Sequence, residues 1–195
     1  HYGHLGDIIN SLPVIKEISK KKQCSLYIQK NKLIPRHVVS KDHPFGSVYL
    51  TEKSILKMLP LLRQQEYLKN VEIYSNQKID IDLNFFREMP INFNIDSVRW
   101  YFHLTGNFPD LSKKYLEVNN HEKFKDYIVV MRSLRRQYKF INYSFLSSYK
   151  NIVFIGLRSE FEDLKTKINN LEYFDSRDFL ELAMIIKNSK LFIGN

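Results

Sequence analysis

The chain has 195 residues, 44% of them hydrophobic and 26% charged, a composition ordinary for a globular protein of one large or two small domains. No apolar run approaches the ~20 residues of a membrane helix, and the single Cys24 excludes an internal disulfide and fits a reducing compartment. The formal net charge of +9 suits anionic partners: nucleic acid, an anionic membrane surface, or phosphorylated small molecules.

In chain order, His1 to Asp7 reads as a glycine turn with one carboxylate. Gly3 and Gly6 are free to take positive φ and to let another molecule approach the backbone. Ile8, Ile9, Leu12, Ile15 and Ile18 recur at helical spacing and predict an apolar helix. Pro13 either kinks that helix or sits in its first turn, with the regular part starting near Ser11. Lys20-Lys21-Lys22 then reads as a solvated helix end. Residues 24–28 predict a strand, 31–44 an irregular polar stretch, 46–50 a short strand and 54–68 a helix weakened by Pro60. Residues 71–74 predict a strand, and the alternation over 79–83 predicts another, with Asp80 and Asp82 on its solvated face. The segment 85–93 reads as a loop. Residues 97–105 read as an aromatic helix closed by Gly106, with Arg99, Trp100, Tyr101 and His103 as either core or cleft residues. A short strand is expected at 115–118.

Residues 119–123 read as a linker, which divides the chain into 1–120 and 121–195. The second half has the cleaner pattern. Strands are predicted at 126–131, 151–156, 171–174 and 191–193. Helices fall between them, opened by capping boxes at Ser159/Glu162 and Asp178/Glu181. Alternating strands and helices predict an α/β fold with parallel sheets.

Ligands of such sheets bind beyond the carboxyl ends of the strands. Two stretches satisfy that rule. One is Gly3 to Asp7, where Asp7 is either a reactive carboxylate or a helix cap. The other is Arg132-Ser133-Leu134-Arg135-Arg136, directly after the strand at 126–131. Guanidinium groups bind phosphate oxygens in bidentate fashion, so this loop is a candidate phosphate site; the alternative is an exposed basic loop. The histidines and the cysteine form no metal-binding spacing, and no RNA-binding aromatic signature is present.

Gly3-His4-Leu5-Gly6-Asp7 followed by Ser11-Leu12-Pro13 resembles the opening of the heptosyltransferase-type sugar transferases, glycosyltransferase family nine. The second half is similar to their carboxyl-terminal domain in its basic loop 132–136, in Ile155-Gly156, in Ser159-Glu160, in the helix Phe179 to Ile186, and in Leu191 to Asn195. The resemblance implies the GT-B architecture of two Rossmann-like domains with parallel sheets. The acceptor-side domain would span 1–120 without its first strand, and 121–195 would be an incomplete nucleotide-sugar domain of a longer protein.

The implied activity is metal-independent transfer of a sugar from a nucleotide-sugar to a hydroxyl of a glycan, glycolipid or protein, in bacterial surface glycan or lipopolysaccharide synthesis. Asp7 would be the general base, with Gly3, His4 and Gly6 as the acceptor loop. Arg132, Ser133, Arg135 and Arg136 would bind the donor diphosphate, and Gly156, Glu160, Gly194 and Asn195 would contact the nucleotide. The nucleotide-sugar is a co-substrate, and no separate cofactor is implied. The expected location is cytoplasmic, with peripheral association at an anionic membrane face and no nucleic acid partner. The loop 132–136 lacks the lysine and Trp-Pro pattern common in heptosyltransferases, so a heptose donor is not implied. Two readings stand beside this one: a non-catalytic nucleotide- or phosphate-binding module, and a nucleic-acid-binding domain suggested by the net charge.

Overall fold

The structure, a computed structural model, describes residues 1–35, 46–138 and 140–195. It is an α/β protein with two parallel sheets, one of two strands and one of four. The chain divides into two compact units, His1–Glu117 and Val118–Asn195.

In the first unit, helix α1 (Leu5–Ser19) runs through Pro13 and starts at Leu5 rather than near Ser11. Proline removes one amide donor from the helix, yet Pro13 is buried together with Ile8, Leu12, Val14 and Ile15, and that packed face holds the helix in place. Strand β1 (Cys24–Ile28) pairs in parallel with β2 (Leu68–Ile73). On the other edge of β1, the His1 backbone donates to the Tyr27 carbonyl at 2.7 Å and accepts from the Gln29 amide at 2.8 Å. The chain therefore enters α1 from the level of the sheet. Helix α2 (Glu52–Arg63) is capped by Thr51, whose hydroxyl accepts from the Ser54 amide, and it contains Pro60 without ending there.

Helix α3 (Ser97–Thr105) ends, as the sequence predicts, at Gly106 in the left-handed conformation with φ of +65°. Three sequence expectations fail in this unit. Residues 46–50 form only an isolated bridge, Leu33 to Val48. Residues 79–83 are not a strand: Asp82 Oδ1 accepts from both the backbone and the side-chain amide of Asn84, and this local turn replaces a ladder. Residues 115–118 are not a strand either. The fully buried Gln65 side chain clamps Glu117 instead, donating to its carbonyl at 2.9 Å and accepting from its amide at 2.8 Å. Most of the irregular stretch expected at 31–44 lies outside the described residues.

The second unit carries β3 (Ile128–Met131), β4 (Ile152–Ile155), helix α4 (Arg158–Lys165), β5 (Glu172–Phe174), helix α5 (Phe179–Asn188) and β6 (Leu191–Gly194). The sheet order is β5-β4-β3-β6, all parallel. One face buries Val130, Phe154, Phe161 and Leu164 with Tyr143 and Leu146; the other buries Val129, Val153, Leu182 and Ile185. Continuous apolar strands are what a sheet covered on both faces requires. The Asp178 cap forms, its carboxylate accepting from the Glu181 amide at 2.9 Å, but the Glu181 side chain accepts from the Arg177 amide at 2.7 Å rather than from the Asp178 amide that a full box requires. The one expected at Ser159 does not form, because α4 begins two residues earlier than that cap requires, at Arg158, with Leu157 as an N-cap that has no side-chain hydrogen bond.

Candidate functional site

The turn leading into α1 is built around Asp7. As the third residue of the helix, its Oδ2 accepts from the His4 amide at 2.9 Å, satisfying a helix-end donor. The same oxygen accepts from Arg87 Nη2 at 3.0 Å. Both side chains of this ion pair are about four-fifths buried, with exposures of 20% and 23%. No described residue hydrogen-bonds to Asp7 Oδ1. Arg87 lies in the 3-10 turn Phe85–Arg87, and its guanidinium rests on the rings of Phe86, Tyr2 and Tyr49, with centroids 4.3, 5.4 and 5.2 Å away. Its Nη1 is buried and has no hydrogen-bond partner among the described residues.

A second layer fixes the turn. The Gly3 amide donates to His1 Nδ1 at 2.9 Å, which leaves the neutral ring's proton on Nε2, 3.0 Å from the Tyr101 hydroxyl. Burial, reinforced by the charge of Asp7, raises the Tyr101 hydroxyl far above its ordinary range, so it stays a neutral phenol. The Tyr2 amide donates to Asn84 Oδ1 at 2.8 Å, and His4 Nδ1 lies 3.2 Å from the Tyr49 carbonyl.

Neither Gly3 nor Gly6 uses the positive φ that glycine permits. Gly3 is required for another reason: a Cβ there would lie 2.5 Å from Asp7 Oδ2 and 2.6 Å from Asp7 Cβ. Gly6 is exposed, and a Cβ would meet nothing within 4 Å. Of the aromatic helix, Tyr101 belongs to the core beneath the turn and Trp100 packs between Phe86 and Phe93, whereas Arg99 and His103 are exposed. His1, Asn84 and Arg87 carry no sequence signal; only their placement in space brings them to Asp7.

In the second unit, the four-stranded order puts the switch point between β3 and β6, where the crossovers diverge to opposite sides. The carboxyl ends of these two strands are tied together: the Ser133 amide donates to Asn195 Oδ1 at 2.8 Å, and Asn195 Nδ2 donates to the Ser133 carbonyl at 3.0 Å. Glu160 Oε1 accepts from the Leu134 amide at 3.1 Å.

Arg132 corrects the expectation of three equivalent surface cations. It is 1% exposed, with Nη1 donating to Gln137 Oε1 at 2.7 Å and Nη2 donating to the Glu160 carbonyl at 3.0 Å and to Asp163 Oδ2 at 2.6 Å. It braces the loop from within. Arg135 and Arg136 are exposed, and among the described residues neither makes a side-chain hydrogen bond or ion pair. Gly156 has φ of +155°, and its carbonyl accepts from the Tyr173 hydroxyl at 3.1 Å. Gly194 leaves room for Phe192, whose ring would lie 2.7 Å from a Cβ.

Among the described residues, no group of three histidine, cysteine, aspartate or glutamate side chains is placed to hold a metal ion, and no helix is long and apolar enough to cross a membrane. Comparison with protein-family models, with curated proteins and with solved structures gave no match.

Proposed function

We propose that this chain belongs to a GT-B-type glycosyltransferase that moves a sugar from a nucleotide-sugar to an acceptor hydroxyl. The observation that carries the reading is the state of the Asp7 carboxylate. One oxygen is held by the His4 amide and Arg87, and among the described residues the other accepts no hydrogen bond. A fixed carboxylate with one open oxygen is suited to take a proton from a hydroxyl. In the proposed reaction the acceptor oxygen bonds to the anomeric carbon as its proton passes to Asp7 Oδ1. The bond from that carbon to the diphosphate breaks, and the electron pair leaves with the diphosphate. Arg135 and Arg136, exposed beyond the carboxyl end of β3, carry the charge that binds a nucleoside diphosphate. The parallel sheet with its switch point at Ser133 and Asn195 supports placing the nucleotide in the second unit.

A second reading has its own support. Asp7 also caps α1 and pairs with Arg87, so a purely structural role would make the protein a non-catalytic nucleotide- or phosphate-binding module. Asp7→Asn separates the two. The transferase reading expects nucleoside diphosphate release from donor and acceptor to fall at least ~100-fold with donor affinity retained, the scale of a lost general base. Unchanged release would leave Asp7 as a cap.

A further inference from the structure

The run Lys20-Lys21-Lys22 follows the last turn of α1, where cations offset the helix dipole. The dipole does not account for what the fold adds beside that run. Pairing of β1 with β2 is regular except at its start, where Cys24 faces Leu68 and Ser25 faces Asn70, so Lys69 is the extra residue of a β-bulge. A bulge re-aims a side chain, and Lys69 lines the same cavity as Lys20, Lys21, Lys22 and Gln23. That cavity has a volume of about 420 Å³ and lies at the amino ends of β1 and β2.

Four ammonium groups from two separate segments therefore share one concave site. Lys20 is compensated by Glu17. Among the described residues, Lys21, Lys22 and Lys69 make no side-chain hydrogen bond or ion pair, and Glu66 is the one acidic residue of the lining. Like charges gathered without counter-charges repel, and a concave wall focuses their field, so the site favours an anion that reaches several of them at once. Lysine binds phosphate as a point charge on a flexible stem. We infer that this cavity binds a small polyanion with closely spaced phosphate groups. Glu17 and Glu66 beside the lysines confine the positive field to the cavity, which disfavours an extended nucleic acid strand.

The site is separate from the proposed transferase centre and does not rest on that reading. The chain enters the Asp7 turn from the carboxyl end of β1, where the His1 backbone bonds to Tyr27 and Gln29. The lysines sit at the far end of α1, about 22 Å away at 1.5 Å per residue.

The test is calorimetric titration of the protein with inorganic tripolyphosphate at low ionic strength, beside Lys21→Gln/Lys22→Gln/Lys69→Gln. The wild type is expected to bind tripolyphosphate at least ~10-fold more tightly than orthophosphate, with binding weakened by added salt. The triple variant is expected to lose about 10-fold or more of that affinity while melting at the wild-type temperature, since all three side chains are exposed. Arg135→Ala/Arg136→Ala is expected to retain the lysine-dependent binding, which separates this cavity from the proposed donor site. Equal binding by the triple variant would overturn the inference. So would loss of tripolyphosphate binding in the arginine variant alone, or tighter binding of a single-stranded oligonucleotide through the same lysines.

Discussion

Asp7 and Arg87, 80 positions apart in sequence, meet through a single carboxylate oxygen at 3.0 Å, and among the described residues the second oxygen of Asp7 accepts no hydrogen bond. The pair joins the first turn of α1 to the Phe85–Arg87 turn. Three features depend on it: the seat of the guanidinium among Tyr2, Tyr49 and Phe86, the cap on α1, and the orientation of the candidate base.

The two glycines of the opening turn respond in opposite ways to added bulk. Gly3→Ala forces a methyl group into the Asp7 side chain and is expected to lower stability by about 1–3 kcal/mol, the cost of overpacking. Gly6→Ala meets open space inside a helix and is expected to raise stability by about 0.5–1 kcal/mol. Chemical denaturation of both variants checks the pair, and equal effects would contradict the packing described for Gly3.

The three arginines after β3 are separable by stability. Asp163→Asn leaves the buried Arg132 guanidinium without its counter-charge and is expected to cost about 3 kcal/mol. Arg135→Ala and Arg136→Ala each remove an exposed side chain and are expected to change stability by no more than ~0.5 kcal/mol. Thermal melts distinguish the classes directly.

Asp178 gives α5 a pH-dependent cap. Burial alone would raise its carboxyl pKa, but the hydrogen bonds from the Glu181 amide and Arg177 outweigh burial and hold it below 3.8. A depressed folded-state value means the stabilisation is complete above 3.8 and is lost as pH falls through the folded value. Asp178→Ala is therefore expected to cost about 1 kcal/mol near neutral pH. The gap from wild type should narrow in acid below 3.8. Denaturation series at the two acidities measure that narrowing.

Much of the fold was legible from periodicity. The four apolar strands of the second unit, α5 with its Asp178 cap, and the Gly106 stop of α3 all follow from local chemistry. What escaped the sequence was set by contacts between distant residues or by competing local bonds. The alternation at 79–83 was undone by the Asp82–Asn84 turn, and the extended stretch before Glu117 found its partner in the Gln65 side chain rather than in a strand. At the site, Asp7 was visible from its position at the helix start. Arg87 was not, because one arginine after two phenylalanines has no signature until the fold brings it to the turn. The buried role of Arg132 was hidden for the same reason: nothing local distinguishes it from Arg135 and Arg136.

The most direct test of the account is calorimetric titration of the protein with ADP-, GDP-, UDP- and CMP-sugars in the absence of metal, beside Arg135→Ala/Arg136→Ala. The account predicts micromolar binding of one nucleotide class and its loss in a double variant that melts like the wild type. No binding of any nucleotide-sugar by the folded protein, or equal binding by the double variant, would contradict it.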